Sequence, residues 1–506
     1  SSGSQAEGCL RVDAQHPMMA VLTSSLHVFD AARLHVTDGT SLGTLRDESG
    51  ERVVGDAVVV QRMSKGMAVT IAANLPLAIH RIQHGRWIEG DGQPAPDDTA
   101  PIDDDVCKCD DGIALSWERD RKRTALEAPE PDCPGKHPAF PDGDTPWFAQ
   151  PIADELRGLL LHSICWAAAE VGLPLPMAWP WPRRLPAVGL ISHDSDFNID
   201  ATARTTLRLL DEIGINSTWC MMEGPTFADR FSGETFALVA QAGHETALHY
   251  NGLDRDGGFW GFAHLQSQAA WLRTTTGGER IASNKNHFTR WEGDVEFFRW
   301  LENAGIASDQ SKGPSKKGNV GYPFGSCQPW FPFDLEQGRF IDVVEIPLQT
   351  QDLWLTTPYA VARPILDQSI KHGGVAHFLF HQVHLDRRPE VADAMRRVIA
   401  DGRERGLEWW TAEAINDWER LRRSISMVVN PVGAGRLHLE VTTPEAVRGY
   451  TAAVIVPRSS EVGMRVVATS AAGEIATSAG SCHGQPALLL EWDLSIGTTL
   501  VDLFLG

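Results

Sequence analysis

The chain has 506 residues, enough for about three domains of roughly 150 residues each. Hydrophobic residues make up 42% and charged residues 22%, ordinary globular usage that excludes wholesale disorder, collagen and coiled coil. With 45 Lys and Arg against 66 Asp and Glu, the net charge of −21 repels phosphate backbones, so nucleic acid is excluded as a partner. No run reaches the roughly 20 apolar residues of a membrane span.

Eight cysteines show no CxxC pair and no repeated spacing, which indicates neither a zinc ribbon nor a dense disulfide scaffold. Seventeen Trp residues supply flat apolar faces that either fill cores or stack on sugar rings. The opening Ser-Ser-Gly-Ser has neither Met nor a signal-like apolar core, so it reads as a trimmed start and leaves localisation open.

In chain order, residues 1–150 read as an N-terminal α/β or β-rich domain, with short β runs and a helix near Leu77 to Gln83. Between Glu89 and Asp111, nine carboxylates stand against one Lys, which marks an acidic linker. A Pro-rich passage follows from Ala128 to Pro146. A helix over residues 152–171 then leads into strand–helix–strand alternation from Ala187 to about Arg423. Residues 151–423 are therefore predicted to form a (β/α) barrel domain with a leading helix, near the usual size of that fold. From Ser424 to the end the helical period vanishes, and residues 424–506 are predicted to be a small β-sandwich.

Four stretches carry chemistry. Val188-Gly-Leu-Ile-Ser-His-Asp-Ser-Asp is an apolar strand ending in two carboxylates at i, i+2, which share one strand face where α/β active sites collect. Such a pair needs a cation or a shared proton; the alternative is that one Asp caps the next helix. Gly243-His-Glu-Thr-Ala-Leu-His places its histidines at i, i+5, which rules out the i, i+4 metallopeptidase helix and leaves His249 as either a strand ligand or a structural residue. Ser283-Asn-Lys-Asn-His-Phe-Thr-Arg-Trp gathers amides, a cation, an imidazole and an aromatic, suited to substrate binding or to a solvated loop. In the stretch from Gly374 to Leu385, His377 and His381 share a strand face with His384 just beyond.

Taken together, Ala187 to Trp418 resembles the polysaccharide deacetylase, or NodB-homology, superfamily in a divergent Asp-x-Asp form. The resemblance implies a deformed (β/α) barrel of the polysaccharide deacetylase type that holds one divalent metal, with Zn²⁺ the first choice. It implies Asp194 as general base, Asp196 and His249 as metal ligands, and His381 as general acid. The family repeats His four residues after its first imidazole ligand; here that position is Leu253, and the usual Arg-x-x-Pro-Tyr-like segment is absent too. His287 is therefore expected to be the third ligand, with His384 as second choice. Asn286, Arg290, Trp291 and His384 are expected to contact substrate. Trp260, Trp291, Trp330 and Trp354 form a candidate sugar platform, Lys312, Lys316 and Lys317 a basic patch, and Glu345 and Asp352 candidate partners that orient His381.

The implied reaction is metal-dependent hydrolysis of an N-acyl, first of all N-acetyl, group on an amino sugar or polysaccharide. An O-acetyl esterase acting on carbohydrate, or an inactive carbohydrate-binding protein lacking the metal, are the alternatives, and a metal-free glycosidase is disfavoured by the His-rich strand ends.

Overall fold

A strand buried on both faces of a sheet can be apolar along its whole length, and this is how Val188–Asp194 (β1) sits: every residue is buried. The computed structural model describes residues 3–20, 22, 25–64, 66–92, 104–125, 144–196, 199–223, 231–254, 258–278, 280–315, 318–433, 436–458, 467–470 and 473–504. After β1 the chain runs through helix Asp200–Ile213 (α1), strand Thr218–Met221 (β2), helix Gly233–Gln241 (α2) and strand Glu245–Tyr250 (β3). Helix Phe262–Thr276 (α3), strand Ile281–Asn286 (β4), helix Glu296–Ala304 (α4) and strand Ile306–Asp309 (β5) continue the alternation. Gly214 closes α1 in the left-handed conformation at φ 71°, where its N–H reaches the Leu210 carbonyl.

The remaining strands are short: Val344–Glu345 (β6), Thr350–Gln351 (β7), Val375–Leu379 (β8) and Glu408–Trp409 (β9). The order is β6-β5-β4-β3-β2-β1-β8-β7, all neighbours parallel, with β9 beside β1. The two ends of that order are joined by residues 346–349 alone. Ile346 N–H donates to the Asp309 carbonyl at 2.8 Å on one side, and Gln349 N–H to that of His377 at 3.4 Å on the other. The sheet thus curls round until one segment links its edges, the deformed (β/α) barrel that was expected. Gly189 is required in β1 because a Cβ there would lie 2.5 Å from Trp409 Cε3.

The compact units cut across the boundaries expected at 150 and 423. Residues 80–151 and 187–418 form one unit; residues 1–79, 152–186 and 419–506 form the other. Within the barrel unit, Asp110 Oδ2 accepts from Ser315 N–H and Asn319 Nδ2, each at 3.0 Å, and Trp117 Nε1 donates to Asn319 Oδ1 at 2.9 Å. The segment read as a linker is therefore partly fastened to the barrel, although residues 93–103 and 126–143 lie outside the described ones.

In the other unit, the leading helix Ile152–Glu170 buries Cys165 and Ala169 against Ala453, Ile455, Cys482 and Ala487. A five-stranded and a four-stranded sheet make up the expected C-terminal β-rich region. The second of these takes in Leu175–Ala178, paired antiparallel with Val447–Ile455. The helix belongs with these strands because its small residues fit that core. Among the described residues no helix is long and apolar enough to cross a membrane.

Candidate metal centre and active site

Parallel strands deliver their C-terminal ends to one rim, and the candidate residues gather there. Asp194 ends β1, Asp196 stands two residues on, His249 lies in β3, and His287 follows β4 directly. His249 Nε2 is 3.1 Å from Asp196 Oδ1, His287 Nδ1 is 3.3 Å from Asp196 Oδ2, and the two ring nitrogens are 3.3 Å apart. One ligand atom from each of the three residues therefore falls within 4.8 Å of the others.

The hydrogen bonding suits a cation. The Lys285 carbonyl can only accept, so His249 Nδ1, 2.9 Å away, carries a proton, and Nε2 is the ring atom that faces the Asp196 carboxylate. Two electron-rich atoms at 3.1 Å repel unless a proton or a metal ion lies between them. One carboxylate and two imidazoles form a donor set suited to Zn²⁺ or a similar divalent ion. Burial works against ionisation of Asp196, but the His287 charge and its bonds to both imidazoles hold it well below the carboxylate range. Burial likewise opposes a charge on His249, and Asp194 followed by Asp196 outweighs it and raises its pKa.

Asp194 lies against this group, its Oδ2 3.9 Å from His249 Nε2 and its Oδ1 3.4 Å from Lys285 Nζ. The fully buried Lys285 ammonium also donates to Ser192 Oγ at 2.6 Å. Ser192 is thereby left to donate to His377 Nε2 at 2.8 Å, and His377 Nδ1 faces the Pro347 carbonyl at 3.3 Å. Burial, then the Lys285 charge, keeps the His377 imidazole neutral. Of the two histidines on that strand face, His377 is thus the core hydrogen-bonding one. Lys285 was visible in the sequence only as a cation in a polar loop; its place on β4, facing β1, is what gives it a partner.

His381 follows β8, with its Nε2 3.9 Å from Asp196 Oδ2. Its Nδ1 is 2.6 Å from Asp352 Oδ2, and the same oxygen lies 2.8 Å from His384 Nδ1. Burial alone would depress His381; the Asp352 charge and hydrogen bond, then Asp196 and Asp194, raise it to about 10. Asp352 is held far below the usual carboxylate range, because the charges and bonds of His381 and His384 outweigh its burial.

Of the two carboxylates expected to orient His381, Asp352 does so. Glu345 instead accepts from Lys312 N–H at 3.0 Å, and burial, then the Asp309 charge, pushes its pKa well up. His384 sits on Asp352, away from the Asp196 group it was second choice to complete.

Three substrate expectations are corrected by burial. Trp291 is fully buried, donates through Nε1 to the Asp294 carbonyl and packs on Phe297 and Phe298. Asn286 is 1% exposed, and its side chain is engaged with Asn284 and Arg290. Lys312 is 1% exposed, donating to the His84 carbonyl over the Trp291 ring, so it is no surface patch; Lys316 and Lys317 lie outside the described residues. Trp330 is buried as well, whereas Trp260, Trp354 and Arg290 keep some exposure. Arg290 bonds the Gly252 carbonyl and Glu292 and lies over the Trp260 ring.

The rim carries four of the ten non-glycine residues with positive φ among the described ones. Phe288 and Thr289 both take positive φ, 59° and 49°, immediately after His287, and Asp352 and Trp354 do so at 39° and 80°. Each such non-glycine residue costs on the order of 1–3 kcal/mol and persists only where its surroundings enforce it.

Comparison by sequence finds no matching family model and no matching curated protein. Comparison by structure returns polysaccharide deacetylases and family 4 carbohydrate esterases. A Mycobacterium smegmatis protein assigned as a polysaccharide deacetylase is 17% identical over 49% of this chain and 93% of its own, with a TM-score of 0.36. A family 4 carbohydrate esterase from Bacillus anthracis is 12% identical over 48% and 97%, with a TM-score of 0.28. A family 4 pseudoenzyme from the same organism is 10% identical over 47% and 67%, with a TM-score of 0.29.

Proposed function

We propose that this protein is a metal-dependent carbohydrate deacetylase that removes an N-acyl, first of all N-acetyl, group from an amino sugar. The observation that carries this reading is the convergence of Asp196, His249 and His287, with Asp194 against His249 and His381 against Asp196. These three residues would hold one divalent ion, Zn²⁺ in the first instance. Bound there, it would supply a water of lowered pKa and a polarised acyl oxygen.

Asp194 is the general base. It takes the proton of the attacking water, and Lys285 fixes its second oxygen at 3.4 Å. His381 is the general acid: Asp352 holds its Nδ1–H, so Nε2 carries the proton delivered to the departing nitrogen. An amide needs this donation because it would otherwise expel a strongly basic anion. A backbone N–H on the loop after Asp196 would be a further donor to the oxyanion; residues 197–198 of that loop lie outside the described ones.

An O-acetyl ester leaves without such help, so the same residues also suit an esterase. The absence of His at position 253 favours the inactive alternative only if His287 fails to bind. The test is elemental analysis of the purified protein, followed by acetate release from N- and O-acetylated glycans. About one ion per chain and release from the N-acetylated set support the reading; a metal-free protein that releases nothing overturns it.

A further inference from the structure

We infer that a buried amide–carboxylate clamp made by Asn284, Asn286, Asp309 and Ser311 is what places His287 as a metal ligand; this rests on the metal reading above. The need for a clamp is local. His287 sits at the start of a turn whose next two residues, Phe288 and Thr289, are both left-handed without being glycine. Thr is β-branched, which makes that conformation unfavourable for it. Left to itself, the segment would relax and carry the ring away from Asp196.

The clamp closes around that turn. Asn286 Nδ2 donates to the Arg290 carbonyl at 2.9 Å, spanning residues 287–289, and Arg290 N–H donates back to the His287 carbonyl at 3.1 Å. The Asn286 amide is itself oriented by Asn284, which shares its face of β4 and whose Nδ2 donates to Asn286 Oδ1 at 2.9 Å and to Asp309 Oδ1 at 2.8 Å. The Asn286 backbone N–H donates to Ser311 Oγ at 2.9 Å, and Ser311 donates in turn to Asp309 Oδ1 at 2.9 Å and, through its N–H, to Asp309 Oδ2 at 3.1 Å. All four residues are 1% exposed or less. In low dielectric a buried network of this kind, in which Asn284 Oδ1 is left without a partner among the described residues, tolerates few alternative arrangements. The ligand missing at Leu253 is thus replaced by an imidazole together with a built support for it.

The experiment measures Zn²⁺ affinity by chelator competition, and the visible d–d spectrum of the Co²⁺-loaded full chain, for Asn286→Ala, Ser311→Ala and Asn286→Ala combined with Phe288→Gly. Asn286→Ala and Ser311→Ala are each expected to weaken Zn²⁺ binding about 10–100-fold and to alter the Co²⁺ spectrum. Phe288→Gly is expected to recover a several-fold part of the loss, since glycine takes positive φ without strain and the turn then holds with less help. Ser311→Ala removes a single hydroxyl and serves if Asn286→Ala does not fold. Unchanged affinity and spectrum in a folded variant would overturn the clamp while leaving the metal reading intact. Rescue that fails, with Phe288→Gly adding to the loss, would likewise overturn it. A wild-type chain that binds neither Zn²⁺ nor Co²⁺ would overturn the metal reading and the clamp with it.

Discussion

Replacing Lys285 by Met tests the link between the barrel interior and the proposed base. Lys285 Nζ lies 3.4 Å from Asp194 Oδ1, and both side chains are buried, at 0% and 8% exposure. At that separation and an effective dielectric of about 20, their attraction is ~5 kcal/mol, most of it offset by the cost of taking both charges out of water. The intact pair therefore adds little net stability. Removing one partner is different: the Asp194 carboxylate stays buried without its cation, and Ser192 Oγ loses a donor at 2.6 Å. The expected loss is about 3–5 kcal/mol in the metal-free protein. It is smaller once a divalent ion near Asp194 supplies positive charge, so added Zn²⁺ should restore the variant more than the wild type. Turnover should fall by about 100-fold through misorientation of Asp194. Chemical unfolding with and without Zn²⁺, followed by acetate-release kinetics, measures both quantities. A Lys285→Met protein as stable as wild type without metal, and active within a factor of two, would refute the reasoning.

Asp194→Asn keeps Asp196, His249 and His287, so it should bind Zn²⁺ normally while turnover drops about 10²–10⁴-fold, checked by metal content and kinetics on one sample. Asp352→Asn removes the negative charge and one of the two oxygens that accept from His381; hydrolysis of an N-acetyl substrate should suffer at least about 10-fold more than that of an activated aryl ester, which leaves unprotonated. Chelator treatment should abolish activity and one equivalent of Zn²⁺ or Co²⁺ should restore it; activity that survives exhaustive chelation would count against a metal role. Gly189→Ala places a Cβ 2.5 Å from Trp409 Cε3 and should destabilise the barrel by about 1–3 kcal/mol, read as a shifted unfolding midpoint.

The barrel was legible because its signals are local. Strand β1 announces itself through an unbroken apolar run, α1 through its period and its closing Gly214, and the rim residues through the motifs at its strand ends. His287 was proposed from a gap, since Leu253 left a ligand to be supplied from elsewhere, and it lies beside Asp196 and His249. What failed was whatever depends on pairing across hundreds of residues. Trp117 meets Asn319, and Met177 pairs with Ala453, and nothing in either segment's own pattern names its partner. Polarity also misled: Asn286 and Trp291 sit in a stretch that suits substrate binding or a solvated loop, and Lys312 in a candidate basic patch, yet each is buried and bonded inside. Lys285 needed the register of β4 before its role beside Asp194 could be seen.

The unit that gathers residues 1–79, 152–186 and 419–506 has a consequence for synthesis. Its core joins Cys165 and Ala169 to Ala453 and Ala487, so the helix waits through the translation of the entire barrel before the strands that cover it emerge from the ribosome. A nascent chain halted at residue 420 would carry a complete barrel and a helix whose Cys165 and Ala169 face is uncovered, a client for chaperones. Trimming the tail to isolate the barrel would leave the product in that same condition.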